Sequence, residues 1–284
     1  EIGNLKDGKK DGYWTIWYSN GQKKSQETHK NGELDGLATG WYENGQIKSK
    51  GTYKDGEKDG KWIEWEENGE NIQFLYNNGK KKSEENYKND KKDGLAITWY
   101  NNGQKEAEAT YKNGILDGLG INWYDNGQKK GEATYKEGKK DGLCIYWFPN
   151  GQKWEDGVYK DGKKDGQWVT WYQFGLKKKE VFYKDGKKEG LCIYWNEFGD
   201  REQGSHKHDK KDGGWTGWYP NQQKKFEVTY KDGKKEGLWV EWYDNGQKRQ
   251  EGNYIKGVRD GKWILWTQNG KKKSKTKWKN GIKK

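Results

Sequence analysis

Large apolar side chains alternate between the two sides of short stretches of the chain. One such stretch runs from Leu238 to Trp242, with Val240 between them on the same side of an extended chain. Trp239 and Glu241 point to the opposite side, because successive side chains of a strand alternate. Period-two alternation in residues that favour extended structure predicts a β-strand here.

Turn signals stand at both ends of this predicted strand. Asn245-Gly246 follows it, and an Asn-Gly pair between two such stretches predicts a hairpin with a type I′ turn, which needs positive φ at both central residues. A second strand is predicted over about Gln247 to Tyr254, and a Gly-rich return from Lys231 to Gly237 closes the opposite end. Turns this short predict adjacent antiparallel strands.

The same context recurs along the chain with a period of 24 residues. The tryptophan that ends the first strand occurs eleven times, and eight of the ten intervals between its copies are 24 residues long. An insertion follows Trp65, and a one-residue deletion follows Trp195. We predict eleven repeats and a partial twelfth, forming a single domain over residues 1–284. The repeats start near Leu5, His29, Tyr53, Tyr87, Tyr111, Tyr135, Tyr159, Tyr183, His206, Tyr230, Tyr254 and, for the partial copy, Trp278.

These repeats predict an all-β fold, an elongated single-sheet solenoid of β-hairpins with aromatic side chains on both faces. We expect the face of the strand-ending tryptophans, such as Trp17, to be the packed one, because β-branched residues share it. The opposite face carries a second aromatic stripe, which is either enclosed by coiling of the sheet or exposed for binding. The candidate binding stripe consists of Trp168, Trp215, Trp239, Trp263, Tyr172, Tyr219 and Tyr243.

Aromatic residues take the place of the usual aliphatic core. The chain has 19 Trp and 19 Tyr, whereas only 29% of its residues are hydrophobic. Disordered chains are poor in aromatic residues, so this composition favours a folded chain. Gly252 and equivalent small residues of the second strand leave space for a flat ring, which either aromatic face could supply.

The excess of lysine gives the chain a formal net charge of +12. Because acids are interleaved with the lysines in every repeat, we interpret the lysines mainly as guards of turns and sheet edges. The most basic segment, Lys271 to Lys284, is where we expect any anionic contact. No apolar run is long enough for a membrane helix. The absence of Met predicts a processed or truncated product.

The repeat resembles the MORN repeat, in the variant found in bacterial proteins labelled YwqK-like antitoxins. The matching residues are Tyr159 to Gly166, which read Tyr-Lys-Asp-Gly-Lys-Lys-Asp-Gly, followed by Trp171-Tyr172. Another copy adds Asn-Gly-Gln at Asn126 to Gln128. The resemblance covers nearly the whole chain. It implies a twisted array of hairpins that binds proteins and sometimes acidic lipid, and it implies no catalytic residue.

Residues that often serve catalysis or metal binding are better explained here by packing. His29 and His206 occupy the leading aromatic position of the repeat, and His206 with His208 lacks a third metal ligand. Cys144 and Cys192 occupy a position that holds tryptophan in other repeats, so we expect small apolar fillers with no histidine beside them. We therefore predict no catalytic residue, no metal site, no cofactor and no enzyme activity.

The Asp-Gly-Lys-Lys-Asp-Gly loops resemble calcium or phosphate sites only superficially. Their lysines compete with a bound cation, and no helix is predicted to follow them. We expect glycine to supply positive φ and aspartate to cap the turn.

The largest departure from the repeat surrounds the insertion. It contains Glu64, Glu66, Glu67 and Glu70, and Glu66 replaces the usual tyrosine. We expect the region from Asn68 to Glu85 to form an extended hairpin, with a specialised binding loop as the alternative.

The sequence favours a non-catalytic scaffold for protein–protein interaction, on a bacterial surface or secreted. One alternative is a cytoplasmic antitoxin that neutralises a cognate toxin. Another is a structural protein that assembles end to end into filaments through open sheet ends. We expect a protein partner, with self-association, anionic lipid or a glycan as the other partners considered, and no specific nucleic-acid binding. An extracellular or cell-surface location is expected, with the cytoplasm as the alternative.

Overall fold

Short antiparallel strands account for most of the described residues. The computed structural model describes residues 1–67 and 81–284. Over these residues, no helix is long and apolar enough to cross a membrane. The chain divides into an N-terminal unit, Glu1–Gly142 with Pro149–Gly151, and a C-terminal unit, Leu143–Phe148 with Gln152–Lys284.

The N-terminal unit is a series of antiparallel strands paired in chain order, with β6 and β7 both alongside β5. These strands are β1 (Ile2–Lys6), β2 (Lys9–Trp17), β3 (Lys23–Lys30), β4 (Glu33–Trp41), β5 (Ile47–Lys54), β6 (Glu57–Lys58), β7 (Gly60–Trp65), β8 (Lys81–Lys88), β9 (Lys91–Trp99), β10 (Lys105–Lys112), β11 (Ile115–Trp123) and β12 (Lys129–Lys136). The division between the units falls within β13 (Lys139–Trp147).

The C-terminal unit repeats the same arrangement, again with each strand antiparallel to its neighbour in the chain. Its strands are β14 (Lys153–Lys160), β15 (Lys163–Trp171), β16 (Lys177–Lys184), β17 (Lys187–Trp195), β18 (Arg201–Lys207), β19 (Lys210–Trp218), β20 (Lys224–Lys231), β21 (Lys234–Trp242), β22 (Lys248–Ile255), β23 (Val258–Trp266), β24 (Lys272–Lys279) and β25 (Ile282–Lys283). The predicted all-β array of hairpin repeats is confirmed.

One kind of strand connection is a two-residue turn. Between β20 and β21, Lys231 pairs with Lys234, and both residues between them have positive φ, 49° at Asp232 and 82° at Gly233. Positive φ at both central positions is the signature of a type I′ turn. The type I′ geometry therefore lies in the Asp-Gly return.

The other connection, at Asn-Gly, is a three-residue loop. The Tyr243 carbonyl accepts a hydrogen bond from the Gly246 N–H at 3.0 Å, and the Tyr243 N–H donates to the Gln247 carbonyl at 2.8 Å. Gly246 has a φ of 80°, whereas Asn245 does not have positive φ. This is a type I turn followed by a glycine bulge, so the type I′ turn predicted at Asn245-Gly246 is wrong.

Hydrogen bonds join each two-residue turn to the preceding repeat. The Gly233 N–H donates to the Lys211 carbonyl at 2.8 Å, and the Asp232 N–H donates to the Asp212 carboxylate at 3.3 Å. The acidic residue of the Lys-Lys-Asp-Gly segment thus caps the turn of the next repeat. The loops hold neighbouring hairpins in register.

Each long strand bends at a glycine bulge. Between β20 and β21, the pairing jumps from Glu227–Val240 to Thr229–Glu236. The three residues from Gly237 to Trp239 therefore oppose a single residue of β20, and the glycine has a φ of 77°. Such a bulge bends the strand and re-aims the side chain that follows it, which is the tryptophan.

The tryptophan after the bulge packs on the glycine backbone of the preceding strand. A Cβ atom on Gly157 would lie 2.3 Å from the ring of Trp168, so no larger residue fits beneath that ring without movement. The Trp168 Nε1–H donates to the Val158 carbonyl at 3.1 Å. We call this set of positions the tryptophan row; its tryptophans are Trp14, Trp62, Trp168, Trp215, Trp239 and Trp263.

The buried face is the one opposite to the face that the sequence predicted to be packed. Trp168 and Trp215 are 1% exposed, whereas the strand-ending Trp17 is 36% exposed. The prediction is wrong because a glycine of the preceding strand lies beneath five of the six row tryptophans and permits close packing. Val228 takes the place of that glycine opposite Trp239, which is only half-buried. The strand-ending tryptophans instead lie beside long polar side chains, as in the Trp242–Lys248 pair.

Candidate interaction surface

The structure places three tryptophans of the candidate binding stripe in the interior of the C-terminal unit, and its tyrosines are half-buried. Trp168 and Trp215 are almost fully buried, Trp263 is 4% exposed and Trp239 is half-buried. Trp239 stacks on Phe226, with 5.5 Å between ring centroids. Of the two alternatives for this stripe, the geometry favours enclosure. Binding by these residues stays a prediction, since a partner would reach three of the rings only after the core opened.

A cation covers the other side of the row tryptophans. Lys164 Nζ lies 3.7 Å from the ring centroid of Trp168, and Lys211 Nζ lies 3.6 Å from that of Trp215. The ring of Tyr159 meets Trp168 edge-on at 5.0 Å. The second lysine of each Lys-Lys-Asp-Gly segment therefore packs its stem and ammonium on the core and is not simply a solvated guard.

The tyrosines of the candidate stripe link successive repeats. The Tyr172 hydroxyl donates to the Trp195 carbonyl at 3.0 Å, and Tyr219 and Tyr243 make the equivalent bonds at 2.9 and 3.0 Å. Burial raises the pKa of Tyr219, so its hydroxyl remains a protonated donor. Asn245 and its equivalents add a second link from Nδ2 to a carbonyl of the next loop. These polar groups hold the array together.

An apolar row is exposed on the face opposite to the tryptophan row. In six repeats the residue before the tryptophan-row position is leucine, with an exposed fraction between 41% and 57%. We call these residues the leucine row; they are Leu37, Leu95, Leu119, Leu143, Leu191 and Leu238. Their cross-strand partners are short and polar, such as Ser205 opposite Leu191. Sequence reasoning missed this row, although the recurrence of leucine at one position was the available signal.

A shallow apolar pocket adjoins the leucine row in the C-terminal unit. Phe182, Leu191 and Ile193 line it together with Gln167, and its volume is about 260 Å³. Phe182 and Leu191 are both exposed. A small apolar pocket beside exposed apolar side chains is the kind of feature that anchors a partner at protein interfaces.

Two loops of the C-terminal unit expose further apolar side chains. Phe174 and Leu176 lie in one loop, and Phe198 in the next is 84% exposed. Most other repeats have asparagine at the position of the two phenylalanines. Phenylalanine is tolerated there because only the following glycine needs positive φ in this loop type. The C-terminal unit therefore has more exposed apolar surface than the repeat requires.

The recurring glycines, tryptophans and short turns are those of a known repeat. The MORN repeat variant model matches residues 10–31, 34–55, 72–89, 92–113, 116–137, 140–161, 235–256 and 259–280, which is more than half of the chain. The chain belongs to the MORN repeat variant family. MORN repeats generally form scaffolds without enzyme activity and commonly mediate protein or lipid interactions. The finer resemblance to bacterial YwqK-like antitoxins stays a prediction.

Similarity of the MORN array to solved structures is weak. The crystal structures of TcdB2-TccC3 and TcdB2-TccC3-Cdc42 are similar to 98% and 94% of this chain, at 11% and 8% identity and TM-scores of 0.22 and 0.20. The chain spans 17% of the length of each. No curated protein matches the chain. These similarities carry no argument about function.

The two cysteines of the MORN array are buried fillers, as expected. The expectation that no histidine adjoins them is wrong for Cys192, because His206 Nδ1 lies 3.1 Å from its Sγ. Burial raises the pKa of the Cys192 thiol to about 11. Burial, then the charges of Lys188 and Lys211, lowers the pKa of His206. A neutral thiol beside a neutral imidazole is a packing contact and not an activated nucleophile.

The described MORN repeats contain no cluster of side chains that could bind a metal ion. Within residues 1–67 and 81–284, no three His, Cys, Asp or Glu side chains are placed to hold a metal ion. His208 lies in a turn with a φ of 48°, and its N–H donates to Glu189 at 2.9 Å. Of the insertion, residues 68–80, with Glu70, lie outside the described residues. The hairpin expected from Asn68 to Glu85 is therefore described only from Lys81, where β8 begins.

Proposed function

We propose that this chain is a non-catalytic scaffold that binds a protein partner through the leucine row. The observation that carries the proposal is the repeated exposure of leucine at one repeat position in both units. Apolar side chains exposed at regular intervals give a partner a series of anchoring points. The pocket between Phe182 and Leu191 offers one such point in the C-terminal unit.

The surroundings of the leucine row also fit a protein interface. Lysines and acids on the same strands pair with each other, as in Lys153–Asp156 and Lys248–Glu251, both at 2.9 Å. Paired charges around exposed apolar side chains form the polar rim that protein interfaces commonly have.

Substitutions already present in the repeat test this surface without disturbing the fold. Gln167 occupies the position of Leu191, and Thr229 occupies that of Phe182. The double variant Leu191→Gln with Phe182→Thr is compared with the wild type in affinity capture from cells of the source organism. We expect the variant to capture at least about tenfold less of the partner protein than the wild type does.

Substitution at the half-buried Trp239 provides the contrasting arm. Trp239→Phe keeps a ring on the tryptophan row and is expected to leave the partner bound. The opposite result is that the leucine-row variant keeps the partner while Trp239→Phe loses it. That result would show that the partner binds through the candidate stripe predicted from the sequence.

A cell-surface or secreted location completes the proposal, and protease accessibility on intact cells tests it. Cleavage from outside supports it. Protection until lysis favours the cytoplasmic alternative, in which the partner is a cognate toxin. An apparent molar mass from light scattering that rises with protein concentration would instead support end-to-end assembly.

A further inference from the structure

A groove in the N-terminal unit departs from the charge pattern of the other repeats. Its volume is about 670 Å³, and its lining includes Glu64, Glu66, Glu106 and Asp125 near Tyr100. The whole chain has a net charge of +12, so this concentration of carboxylates runs against the overall composition.

Elsewhere, the tyrosine at the position of Tyr100 has a cation of the same chain over its ring. In five repeats the lysine six residues after the tyrosine places Nζ between 5.1 and 5.7 Å from the ring centroid, and in a sixth repeat an arginine lies 5.8 Å away. The pairs are Lys24–Tyr18, Lys48–Tyr42, Lys130–Tyr124, Lys178–Tyr172, Lys225–Tyr219 and Arg249–Tyr243. The repeat itself therefore shows that a cation fits over this ring.

In the groove, the position of that cation is occupied by an acid. Glu106 stands six residues after Tyr100, and no cation of the described residues lies over the Tyr100 ring. Glu66 has Lys82 at 3.9 Å, whereas Glu106 and Asp125 make no ion pair within 4 Å in the described part of the chain. Burial, then the charges of Glu106 and Asp125, raises the pKa of Tyr100, so both carboxylates act on this ring.

We propose that this groove binds an alkylammonium group, the lysine side chain of a protein partner, over the ring of Tyr100. The ammonium would restore the contact that the other repeats make internally, with Glu106 and Asp125 as counter-ions. The inference rests on the proposed function as a protein-binding scaffold, and it names one side chain that the partner presents. That contact lies in the N-terminal unit, whereas the Phe182–Leu191 pocket belongs to the C-terminal unit.

Binding of a model peptide tests the chemistry. The chain is titrated by calorimetry with a blocked peptide of one lysine flanked by glycines, and with the same peptide carrying Nε-acetyllysine. We expect the lysine peptide to bind and acetylation to weaken binding by at least about tenfold, because it removes the charge. Equal binding of the two peptides, or no heat with either, overturns the proposal. Spermidine binding more tightly than the peptide overturns the assignment to a protein side chain.

A variant that supplies the missing cation tests the location. Glu106→Lys creates the pairing that five other repeats already have, so we expect it to fold and to weaken binding of the lysine peptide at least about tenfold. Glu57→Lys, at an exposed position of β6 in the same unit, makes the same change in net charge and is expected to alter affinity less than about twofold. Unchanged binding by Glu106→Lys, or an equal loss in Glu57→Lys, contradicts the site.

The outcome is separable from that of the leucine-row proposal. Leu191→Gln is expected to leave binding of the lysine peptide unchanged. A chain that loses its partner on Leu191→Gln but never binds the lysine peptide would keep the proposed function and remove this site. If the chain binds the lysine peptide but the Leu191→Gln variant still binds the partner, the groove site is kept and the proposed function of the leucine row is removed.

Discussion

The two units build the same hairpin around different interiors. In the C-terminal unit most of the tryptophan row and its cross-strand neighbours are apolar and buried, as at Trp168, Val181 and Trp215, whereas Trp239 is half-buried. In the N-terminal unit the positions equivalent to Val181 include the charged Glu27 and Glu85. Both units nevertheless share the type I′ turns, the glycine bulges and the strand register. The backbone of the repeat is therefore set by its turns and bulges and accepts more than one kind of interior.

Glu85 shows how a charge is accommodated in such a position. Lys92 Nζ pairs with it at 2.7 Å, and the Tyr87 hydroxyl donates to its other oxygen. Burial by itself raises the pKa of Glu85, but the hydrogen bonds and the charge of Lys92 outweigh this and lower it. The N-terminal unit thus uses a paired charge where the C-terminal unit uses a valine.

The largest effect that the comparison predicts is the loss of a row tryptophan from the C-terminal unit. Trp215 lies between Gly204 and the ammonium of Lys211, so Trp215→Ala leaves a ring-sized cavity that neighbouring strands cannot close easily. We expect the free energy of unfolding to fall by about 3–5 kcal/mol. Urea unfolding followed by circular dichroism measures it.

The exposed Leu238 supplies the control for this measurement. Leu238→Ala is expected to change the free energy of unfolding by less than about 1 kcal/mol. If Trp215→Ala lowered the free energy of unfolding by less than about 1 kcal/mol, the C-terminal interior would accept alanine as readily as the repeats that already have it. The contrast between the two units would then be removed.

Adding one methyl group beneath a row tryptophan is expected to have the next largest effect. Gly157→Ala places a Cβ 2.3 Å from the Trp168 ring and should cost about 1–3 kcal/mol. In the N-terminal unit, Ala109 occupies the position of Gly157 without conflict, because it faces Gly120. Gly214→Ala, where a Cβ meets no atom within 4 Å, is the matched control, and thermal unfolding of both variants makes the comparison.

Acid is expected to weaken the N-terminal unit through Glu85. Its pKa is lowered in the folded chain, so the pairing stabilises the fold above the ordinary value of 4.5, and this contribution is lost as pH falls through the lowered folded value. Glu85→Val installs the residue of Val181 and should remove this part of the acid sensitivity. At pH 7 the change should stay within about 2 kcal/mol. Unfolding of the wild type and of Glu85→Val is measured from pH 3 to 7. An equal loss of stability in the two proteins as the pH falls would contradict the prediction.

The smallest predicted effect distinguishes the two histidines of the leading aromatic position. Burial, then Lys188 and Lys211, lowers the pKa of His206, with Asp209 opposing weakly. The C-terminal unit should therefore lose stability as pH falls below 6.5 towards the lowered value, because the unfolded chain takes up the proton first. His206→Tyr, the usual residue of the repeat, should flatten this dependence.

His29 gives the matching measurement in the N-terminal unit. Burial, and more weakly the charge of Lys10, also lower its pKa, but Glu27, 3.9 Å away, opposes the shift. His29→Tyr is therefore expected to change the dependence on pH between 5 and 7.5 less than His206→Tyr does. An equal change in the two variants would show that burial alone, and not the neighbouring lysines, controls both groups.

Much of the fold was predictable because its signals are local and repeated. The 24-residue period and the alternation from Leu238 to Trp242 depend only on near neighbours in the chain. The turn types were less predictable, since Asn245-Gly246 and Asp232-Gly233 are both common in type I′ turns. Their assignment depended on loop length, which is fixed by strand pairing and not by the dipeptide.

The candidate surface was less predictable than the fold. The sequence indicated two aromatic stripes and could not rank them, because both are large and apolar. The exposed leucines attracted no notice, since each taken alone is an ordinary strand residue. The contact between Cys192 and His206 was also missed, because it joins neighbouring strands in space while the residues stand 14 positions apart.

By itself, the sequence determined that this protein is an all-β array of MORN-type hairpins, because period, glycine positions and strand alternation act over a few residues. Only the tertiary structure decided which face is buried. That choice depends on the bulge at Gly166 and its equivalents, which sets five of the six row tryptophans on a glycine of the preceding strand, as it sets Trp168 on Gly157. Packing of a ring on a backbone eleven residues away is a cross-strand property, and it leaves the leucine row exposed on the other face.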